Sequence, residues 1–206
     1  MDQRIGQHFL RPGPGIGGSC FPKDTLALTA AAKQAGAPVT IIEAVVRSNE
    51  LRKQRMAEKI IQAMGGDVSG KTIAILGLTF KPNTDDMRES PSLAIIPALQ
   101  QSGATIRAYD PEGMEEARGL LPDIEYASSA IEALQSADGA VILTEWQAFA
   151  ELDLSEVKGA LKHPLLIDLR NVFTRRQMIE AGFEYHSIGR EPVSPAGTTP
   201  RDIALQ

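Results

Sequence analysis

The chain has 206 residues, of which 43% are hydrophobic and 23% charged, and its formal net charge at pH 7 is -5. This composition is that of an ordinary globular protein and excludes a collagenous, coiled-coil or disordered chain. A mildly acidic chain has no overall attraction for phosphate backbones or anionic lipids, so we expect no nucleic acid and no membrane as partners. The length allows one domain or two small ones.

The single cysteine indicates the compartment, because one cysteine excludes an intrachain disulfide and suits a reducing environment. No apolar run approaches the roughly 20 residues that a membrane span requires. The opening MDQRIGQHFLRPGPG also lacks the apolar core of a signal peptide. We therefore expect a cytoplasmic protein.

The first 23 residues contain RPGPGIGGSCFP, which predicts a loop because proline lacks an amide donor and glycine is unfavourable inside regular elements. The following TLALTAAAKQAG predicts a helix with Asp24 as N-cap and Gly36 as its end. From Pro38, apolar residues then recur at spacings of mostly three and four until Gly65 and Gly66.

The segment after Pro38 predicts one long helix of roughly 26 residues, or about 40 Å. It is longer than a small domain needs, and we interpret it as a connector whose apolar face is a candidate dimer surface. After Gly70, short apolar runs alternate with helical stretches, which is typical of βαβ units and a parallel sheet. The predicted strands are 72–78, 105–109, 139–143, 165–169 and 185–188. The predicted helices are 92–102, 114–121, 131–135, 146–150 and 174–181.

The sequence thus predicts an α/β protein in three parts. Residues 1–66 contain the glycine-rich loop, the first helix and the long connecting helix, and residues 67–190 form an open parallel sheet domain. Residues 191–206 are Pro-rich and aperiodic, which predicts a flexible tail.

Cys20 follows two glycines and a serine and precedes a predicted helix. Backbone amides and the positive end of a helix stabilise a thiolate or an oxyanion. Lys23 adds a cation, and Asp24 adds a carboxylate that can handle a proton or a water molecule. The pattern indicates covalent catalysis, whereas the alternative is an inert, buried cysteine.

A second loop, GLTFKPNTDDMRESPS, lies between the first strand of the sheet and its helix. Ligands of open α/β sheets bind at the carboxyl ends of strands, and a helix start there attracts anions. Ser90 and Pro91 fit the N-cap and first position of that helix, and Lys81 and Arg88 can meet phosphate. The alternative pairs these two cations with acidic residues of the same loop: Asp85, Asp86 and Glu89. The GxGxxG pattern is absent.

Arg170 follows the predicted strand 165–169 and lies at the same sheet edge, although an arginine there is more often solvated or paired. The three histidines lack metal-ligand spacing with Cys20, so we expect no metal site. Trp146 is interpreted as a packing residue at the rim of the sheet.

The two loops, with DQRIG ahead of them and TEW and DLRN behind, resemble the UDP-glucose 6-dehydrogenase family of nucleotide-sugar dehydrogenases. The resemblance covers residues 1 to about 190 in five ordered segments. It implies a Rossmann-like, UDP-binding sheet domain, preceded in residues 1–66 by the end of a central helical and dimerisation domain. It also implies a four-electron oxidation of a sugar C6 alcohol to a carboxylate with two NAD. It also implies a homodimer acting on UDP-glucose.

The resemblance further implies a role for each matching residue. Cys20 is the nucleophile that forms a thiohemiacetal and then a thioester, and Asp24 assists the water chemistry. Lys23 and Arg88 lie toward NAD, and Arg4 reaches the substrate of a partner subunit. The other residues implied to hold the UDP-sugar are Gly15, Gly17, Gly18, Phe21, Phe80, Lys81 and Arg170.

The GGSC motif favours UDP-glucose over N-acetylated UDP-sugars, whose enzymes tend to carry GGHC, and leaves GDP-mannose dehydrogenases as the nearest alternative. Complete members begin with a GxGxxG nucleotide-binding domain that this sequence lacks. We therefore expect a C-terminal portion that does not reduce NAD alone and whose first 23 residues are loose. The alternative is a non-catalytic module that binds a UDP-sugar and dimerises.

Overall fold

The computed structural model of the protein describes Gly6 and residues 10–195. Two helices come first and an alternating α/β region follows. The helices are α1 (Phe21–Gln34), α2 (Thr40–Ala63), α3 (Ser92–Gln101), α4 (Met114–Leu120), α5 (Ala130–Leu134), α6 (Gln147–Ala150), α7 (Leu154–Ala160) and α8 (Arg175–Ala181). The strands are β1 (Thr72–Leu76), β2 (Thr105–Tyr109), β3 (Glu125–Tyr126), β4 (Gly139–Ile142), β5 (Leu165–Asp168) and β6 (Glu184–Ser187).

The six strands form one parallel sheet in the order β3-β2-β1-β4-β5-β6. This is the order of a Rossmann fold, and it confirms the predicted fold class. Leu76 pairs with both Tyr109 and Ile142, and Ile142 pairs with Asp168, so the carboxyl ends of four strands are level. Loops that leave these ends meet along one edge of the sheet, where the strand order reverses.

Each face of the sheet is covered by its own hydrophobic cluster. On β1, Ile73 and Ile75 face the cluster under α2, α3 and α4, whereas Ala74 and Leu76 face the cluster under α5 to α8. This alternation is the period of two expected of a strand. Because both faces of the sheet are buried, the sequences of the central strands are continuous apolar runs.

The long helix predicted after Pro38 is confirmed as the 24-residue α2, which is about 36 Å long at 1.5 Å per residue. Its buried residues lie in its C-terminal half, where Met56, Ala57, Ile60 and Ala63 pack on the sheet domain. The N-terminal half carries exposed apolar side chains, among them Ile41 and Val45. In the part of the chain that the structure describes, no helix is long and apolar enough to cross a membrane.

The structure corrects the predicted start of the first helix. The helix α1 begins at Phe21, with Cys20 rather than Asp24 at the N-cap position and Asp24 in the first turn. Pro22 explains the earlier start, because a proline suits the first turn, where its missing amide would have no partner. The strand β3 and the helix α7 were not predicted, since each is short and weakly periodic.

The predicted flexible tail is wrong at its beginning. Val193 is buried and exchanges two backbone hydrogen bonds with Tyr185 of β6, at 2.8 and 3.0 Å. The edge strand β6 leaves amide and carbonyl groups open, and Val193 pairs with them. Residues 196–206 lie outside the described residues.

Gly77 ends the β1 strand and begins the second loop at a point of very close packing. Its φ is +93°, and a Cβ there would lie 2.5 Å from Thr144 Cβ and 2.7 Å from Thr144 N. A side chain therefore meets both a left-handed backbone and a neighbouring main chain. Glycine is required at this position.

We predict that Gly77→Ala lowers the free energy of unfolding by about 3 kcal/mol or more, because strain and overlap add. The measurement is urea unfolding followed by circular dichroism. Gly119→Ala is the matched control, since a Cβ there meets nothing within 4 Å and the residue lies in α4. That control should raise stability by about 0.5–1 kcal/mol. Equal effects of the two substitutions would contradict the argument.

Candidate functional site

Cys20 lies at the N-cap of α1, with its thiol exposed to solvent. Its carbonyl accepts the Asp24 amide at 2.9 Å, and its Sγ lies 3.6 Å from Ser19 Oγ. An exposed thiol at the positive end of a 14-residue helix is the opposite of a buried structural cysteine. In the same first turn, Lys23 Nζ and Asp24 Oδ1 lie 3.5 Å apart, and both side chains are largely exposed.

The glycine-rich segment before Cys20 packs against α2. Asn49 Oδ1 accepts the Ile16 amide at 2.7 Å, and Asn49 Nδ2 donates to the Ile16 carbonyl at 3.1 Å. Arg52 Nε donates to the Gly13 carbonyl at 2.7 Å. The expectation that this segment is loose is therefore wrong for the residues described, because its partners lie within this chain.

The same segment also contacts the second loop. The Gly18 amide donates to the Arg88 carbonyl at 2.8 Å. A Cβ at Gly17 would lie 2.6 Å from the Glu89 carbonyl oxygen, and one at Gly18 would lie 2.7 Å from the Phe80 ring. Only glycine allows the main chain to approach so closely. Two loops that are far apart in sequence thus form one surface beside Cys20.

Asp110, at the carboxyl end of β2, anchors the beginning of the second loop. Its oxygens accept hydrogen bonds of 2.7 to 3.1 Å from the amides of Leu78, Thr79, Glu112 and Gly113, from the Thr79 hydroxyl and from Trp146 Nε1. The side chain is buried, so these donors replace water as hydrogen-bond partners of its oxygens. Trp146 is buried, which agrees with the predicted packing role, whereas its hydrogen bond to Asp110 was not predicted from the sequence.

Sequence reasoning missed Asp110, although an acidic residue directly after a predicted strand was a usable signal. In a dinucleotide-binding Rossmann fold an acidic residue after the strand next to the glycine loop bonds the ribose. Here the carboxylate faces inward and is satisfied by the protein. It positions the loop instead of presenting itself to a ligand.

The start of α3 differs from the prediction. Pro91, not Ser90, is the N-cap, and the Ser90 and Ser92 hydroxyls turn inward, each donating to the Leu78 carbonyl at 2.6 Å. The Ser92 amide donates to Ser90 Oγ and the Leu93 amide to the Ser90 carbonyl. The expectation that this helix start offers free amides to a diphosphate is wrong, since the turn already uses them.

Arg170 lies under the junction of the two loops. Its guanidinium donates to the Leu143 carbonyl at 2.8 Å and to the Phe80 carbonyl at 2.9 Å, and Nε lies 3.0 Å from Glu145 Oε2. Burial is the main influence on the Arg170 pKa and lowers it. A Cβ at Gly13 would lie 2.7 Å from Nη1. Arg170 is therefore paired with an acidic residue, which is the alternative given above for an arginine at a strand end. It also links the strand ends to both loops.

The two cations of the second loop differ. Arg88 holds Asp86 through two hydrogen bonds of 2.9 and 2.8 Å, as the alternative predicted, and this contact lowers the pKa of Asp86. The hydrogen bond to Asp86 and, to a smaller extent, the charge of Cys20 raise the pKa of Arg88. Lys81 Nζ lies 5.2 Å from the centroid of the Phe80 ring. Among the described residues Lys81 forms no ion pair within 4 Å, so it remains free for an anion.

The structure brings most of the predicted residues to one place. The residues that meet around the two loops are Gly15, Gly17, Gly18, Cys20, Phe80, Lys81, Arg88 and Arg170. Phe21 lines an open cleft between α1 and α2 together with Ile16, Val46 and Glu89. Arg4 lies outside the described residues.

Two models of one protein family match this chain. The model of the central domain of the UDP-glucose/GDP-mannose dehydrogenase family matches residues 1–51, and the model of the UDP binding domain of the same family matches residues 74–175. The chain belongs to the UDP-glucose/GDP-mannose dehydrogenase family. In this family member, the contact of Gly18 with Arg88 joins the two matched regions.

Individual relatives agree with the family models. The UDP-glucose 6-dehydrogenase of Rhizobium meliloti (strain 1021) is 52% identical over 190 residues, which cover 92% of this chain and 44% of that protein. UDP-glucose 6-dehydrogenase TuaD of Bacillus subtilis (strain 168) is 48% identical over 203 residues, covering 98% of this chain and 43% of that protein. The chain therefore spans less than half the length of these relatives.

Among solved structures, a UDP-glucose dehydrogenase from the hyperthermophilic archaeon Pyrobaculum islandicum matches with a TM-score of 0.73 and 36% identity. The match covers 86% of this chain and 39% of that chain. The Rossmann-like sheet of this family member thus has the same fold as that of an experimentally determined dehydrogenase.

We predict that Asp110→Asn lowers the free energy of unfolding by about 2–4 kcal/mol, because an amide nitrogen cannot accept from the donors that surround the carboxylate. The emission of Trp146, the only tryptophan, should also shift, since its indole donates to Asp110. Asp123→Asn on the exposed surface is the control and should stay within about 0.5 kcal/mol. Unchanged stability and fluorescence in Asp110→Asn would contradict the anchoring role.

We also predict that Arg88→Gln raises the pKa of Asp86 toward its ordinary value, because the side-chain hydrogen bond from Arg88 is the largest cause of the lowered pKa. A carboxyl group with a lowered folded pKa stabilises the fold above its unfolded pKa and loses that effect as the pH falls through its folded pKa. NMR titration of the Asp86 carboxyl carbon provides the measurement. Lys81→Gln, which removes the smallest of the causes, should change this pKa less.

Proposed function

We propose that this chain is the thiol-bearing and nucleotide-sugar-binding part of an NAD-dependent UDP-glucose 6-dehydrogenase, which oxidises UDP-glucose to UDP-glucuronate. The observation that carries the proposal is the contact of the Cys20 loop with the Phe80 loop at the carboxyl edge of the sheet. This contact supports the proposal because it brings the Cys20 thiol close to the sheet edge at which Rossmann-like folds bind ligands. The names of the relatives support the same activity.

The UDP-sugar lies across the two loops in this proposal. Lys81 meets the diphosphate, Phe80 holds the nucleotide sugar from the same loop, and Arg170 contacts it from the neighbouring strand end. The remaining partners run along the sugar: Gly15, Gly17, Gly18 and Phe21. Glycine supports this role because a substrate can then approach the main chain closely.

Cys20 acts as the covalent nucleophile. Its sulfur bonds to the aldehyde carbon at C6 and the carbonyl oxygen takes a proton, which gives a thiohemiacetal. Loss of a hydride and a proton leaves a thioester, and water breaks the carbon–sulfur bond to release the carboxylate and the thiol. Asp24, in the first turn of α1, assists this water. A covalent intermediate keeps the aldehyde from leaving between the two oxidations.

Lys23 and Arg88 are the residues that would hold NAD in this proposal. Both cations are largely exposed, and Arg88 lies within electrostatic reach of Cys20, so they can attract an anionic cofactor beside the thiol. The crossover after β1 reads GLTFKP and lacks the glycine pattern of a dinucleotide cradle. When bound, NAD accepts a hydride from C6 in each oxidation. We propose that the 206-residue chain alone does not reduce NAD.

The exposed apolar N-terminal half of α2 supports a homodimer through this helix. An exposed Cys20 that works as a thiolate needs a reducing compartment, which supports a cytoplasmic location. The family model also covers GDP-mannose dehydrogenases, so the binding experiment compares both nucleotide sugars.

We predict that this chain binds UDP-glucose and that it binds GDP-mannose at least about tenfold more weakly. Lys81→Ala should weaken UDP-glucose binding by about tenfold, because the diphosphate loses a cation. Isothermal titration calorimetry measures both. Lys33→Ala, at the far end of α1, is the matched control and should bind as the wild type does. Absence of UDP-glucose binding by the folded chain, or preference for GDP-mannose, would overturn the proposed substrate.

We further predict that saturating UDP-glucose slows alkylation of Cys20 by iodoacetamide by about tenfold, because the sugar covers the thiol. Mass spectrometry of the tryptic peptide follows the reaction. UDP without the sugar is the control and should protect less. Equal protection by UDP and UDP-glucose would place the sugar away from Cys20.

A further inference from the structure

We infer that Asn49 on α2, with Arg52 beside it, is a positioning residue for the loop that carries Cys20. The inference rests on the proposed function in one respect, which is that this loop bears the nucleophile. Asn49 would not touch the substrate. It would hold the main chain of the loop so that Cys20 faces the sugar.

The contact of Asn49 with the loop uses both the oxygen and the nitrogen of its side-chain amide. Asn49 Oδ1 accepts from the Ile16 amide at 2.7 Å, and Asn49 Nδ2 donates to the Ile16 carbonyl at 3.1 Å. An amide side chain offers an acceptor and a donor side by side, whereas a carboxylate at the same position only accepts. The Asn49 amide therefore bonds both the backbone N–H and the backbone carbonyl of Ile16, as a residue of a neighbouring β-strand would.

Two further residues of α2 extend this contact. Arg52 and Lys53 follow Asn49 at positions i+3 and i+4, so the three lie on one face of the helix. Arg52 Nε donates to the Gly13 carbonyl at 2.7 Å, and a Cβ at Gly15 would lie 2.9 Å from Lys53 Cγ. This face of α2 follows the loop from Gly13 to Ile16.

Lys53 connects the same face to the second loop. Its ammonium is nearly fully buried and lies 3.0 Å from Glu50 Oε1 and 3.5 Å from Glu89 Oε2. Glu89 has a φ of +53°, and its carbonyl lies against Gly17. The helix therefore touches both loops at the point where they meet.

The loop needs such support because of its composition. The segment GPGIGG has few side chains that could pack, and glycine has more conformational freedom to lose than any other residue. Its downstream end is held by the Gly18 amide on the Arg88 carbonyl and by α1. Arg52 holds the upstream end at Gly13, and Asn49 holds the segment at Ile16, four residues before Cys20. Without Asn49, the loop would still carry Cys20, but its main chain would no longer be held in position.

The test compares four variants of this chain. Asn49→Ala removes the amide, Asn49→Asp keeps the size and loses the donor, and Asn49→Gln restores donor and acceptor. Ser48→Ala is the matched control, because Ser48 is exposed on the same helix. Amide hydrogen exchange at Ile16 and Gly18 reports the loop without any ligand. The melting temperature, the UDP-glucose affinity and the protection of Cys20 by UDP-glucose are measured in parallel.

We expect exchange at Ile16 to rise by about tenfold or more in Asn49→Ala, with the melting temperature unchanged. The rise should be smaller in Asn49→Asp, because its carboxylate still accepts from the Ile16 amide and loses only the donor to the Ile16 carbonyl. We expect UDP-glucose affinity to stay within about threefold of the wild type while its protection of Cys20 is largely lost, since Phe80 and Lys81 lie on the other loop. Asn49→Gln should recover protection in part, and Ser48→Ala should match the wild type.

Unchanged exchange at Ile16 in Asn49→Ala would overturn the inference. A rise at Ile16 that only matches a rise across the whole chain would also overturn it, because Asn49 would then merely stabilise the fold. Absence of UDP-glucose binding in the wild type would instead overturn the proposed function, and hydrogen exchange would still decide whether Asn49 holds the loop.

Discussion

The candidate site depends on the close approach of two glycines to the second loop. Without side chains, Gly17 and Gly18 bring their main chain against the Glu89 carbonyl and the Phe80 ring, and the Gly18 amide reaches the Arg88 carbonyl at 2.8 Å. A Cβ at either glycine would overlap these atoms. This contact places Cys20, two residues further on, beside the carboxyl edge of the sheet. The chemistry proposed for the chain requires that placement.

The contact is supported from two sides. Asp110 accepts hydrogen bonds from the amides at the start of the second loop, and the face of α2 that carries Asn49 holds the first loop. A buried carboxylate must be satisfied by donors, so it fixes their positions strongly. The helix adds rigidity, since its C-terminal half is part of the core while its N-terminal half reaches the loop. A rigid scaffold thus positions loops that have little packing of their own.

Electrostatics divides the cations of the site into two groups. Lys53 is buried and Arg170 is largely buried, each beside a carboxylate, so these two cations hold the structure together. Lys23, Lys81 and Arg88 are exposed. Lys23 and Arg88 each lie beside a carboxylate of their own loop or turn, whereas Lys81 lies over the Phe80 ring. Anionic parts of a ligand are therefore expected at the exposed cations, while Lys53 and Arg170 keep the loops in position.

By itself the sequence predicted the long helix, five of the six strands and an open parallel sheet, because periodicity is a local signal, and its glycine-rich motif made Cys20 a candidate nucleophile. It misplaced the first helix start, missed Asp110 and Asn49, and predicted a loose loop before Cys20. Hydrogen bonds between Asn49 and Ile16 span 33 residues, and those from Leu78 and Thr79 to Asp110 span about as many. Such partners become neighbours only after folding, so the tertiary structure alone decided which residues hold the two loops together.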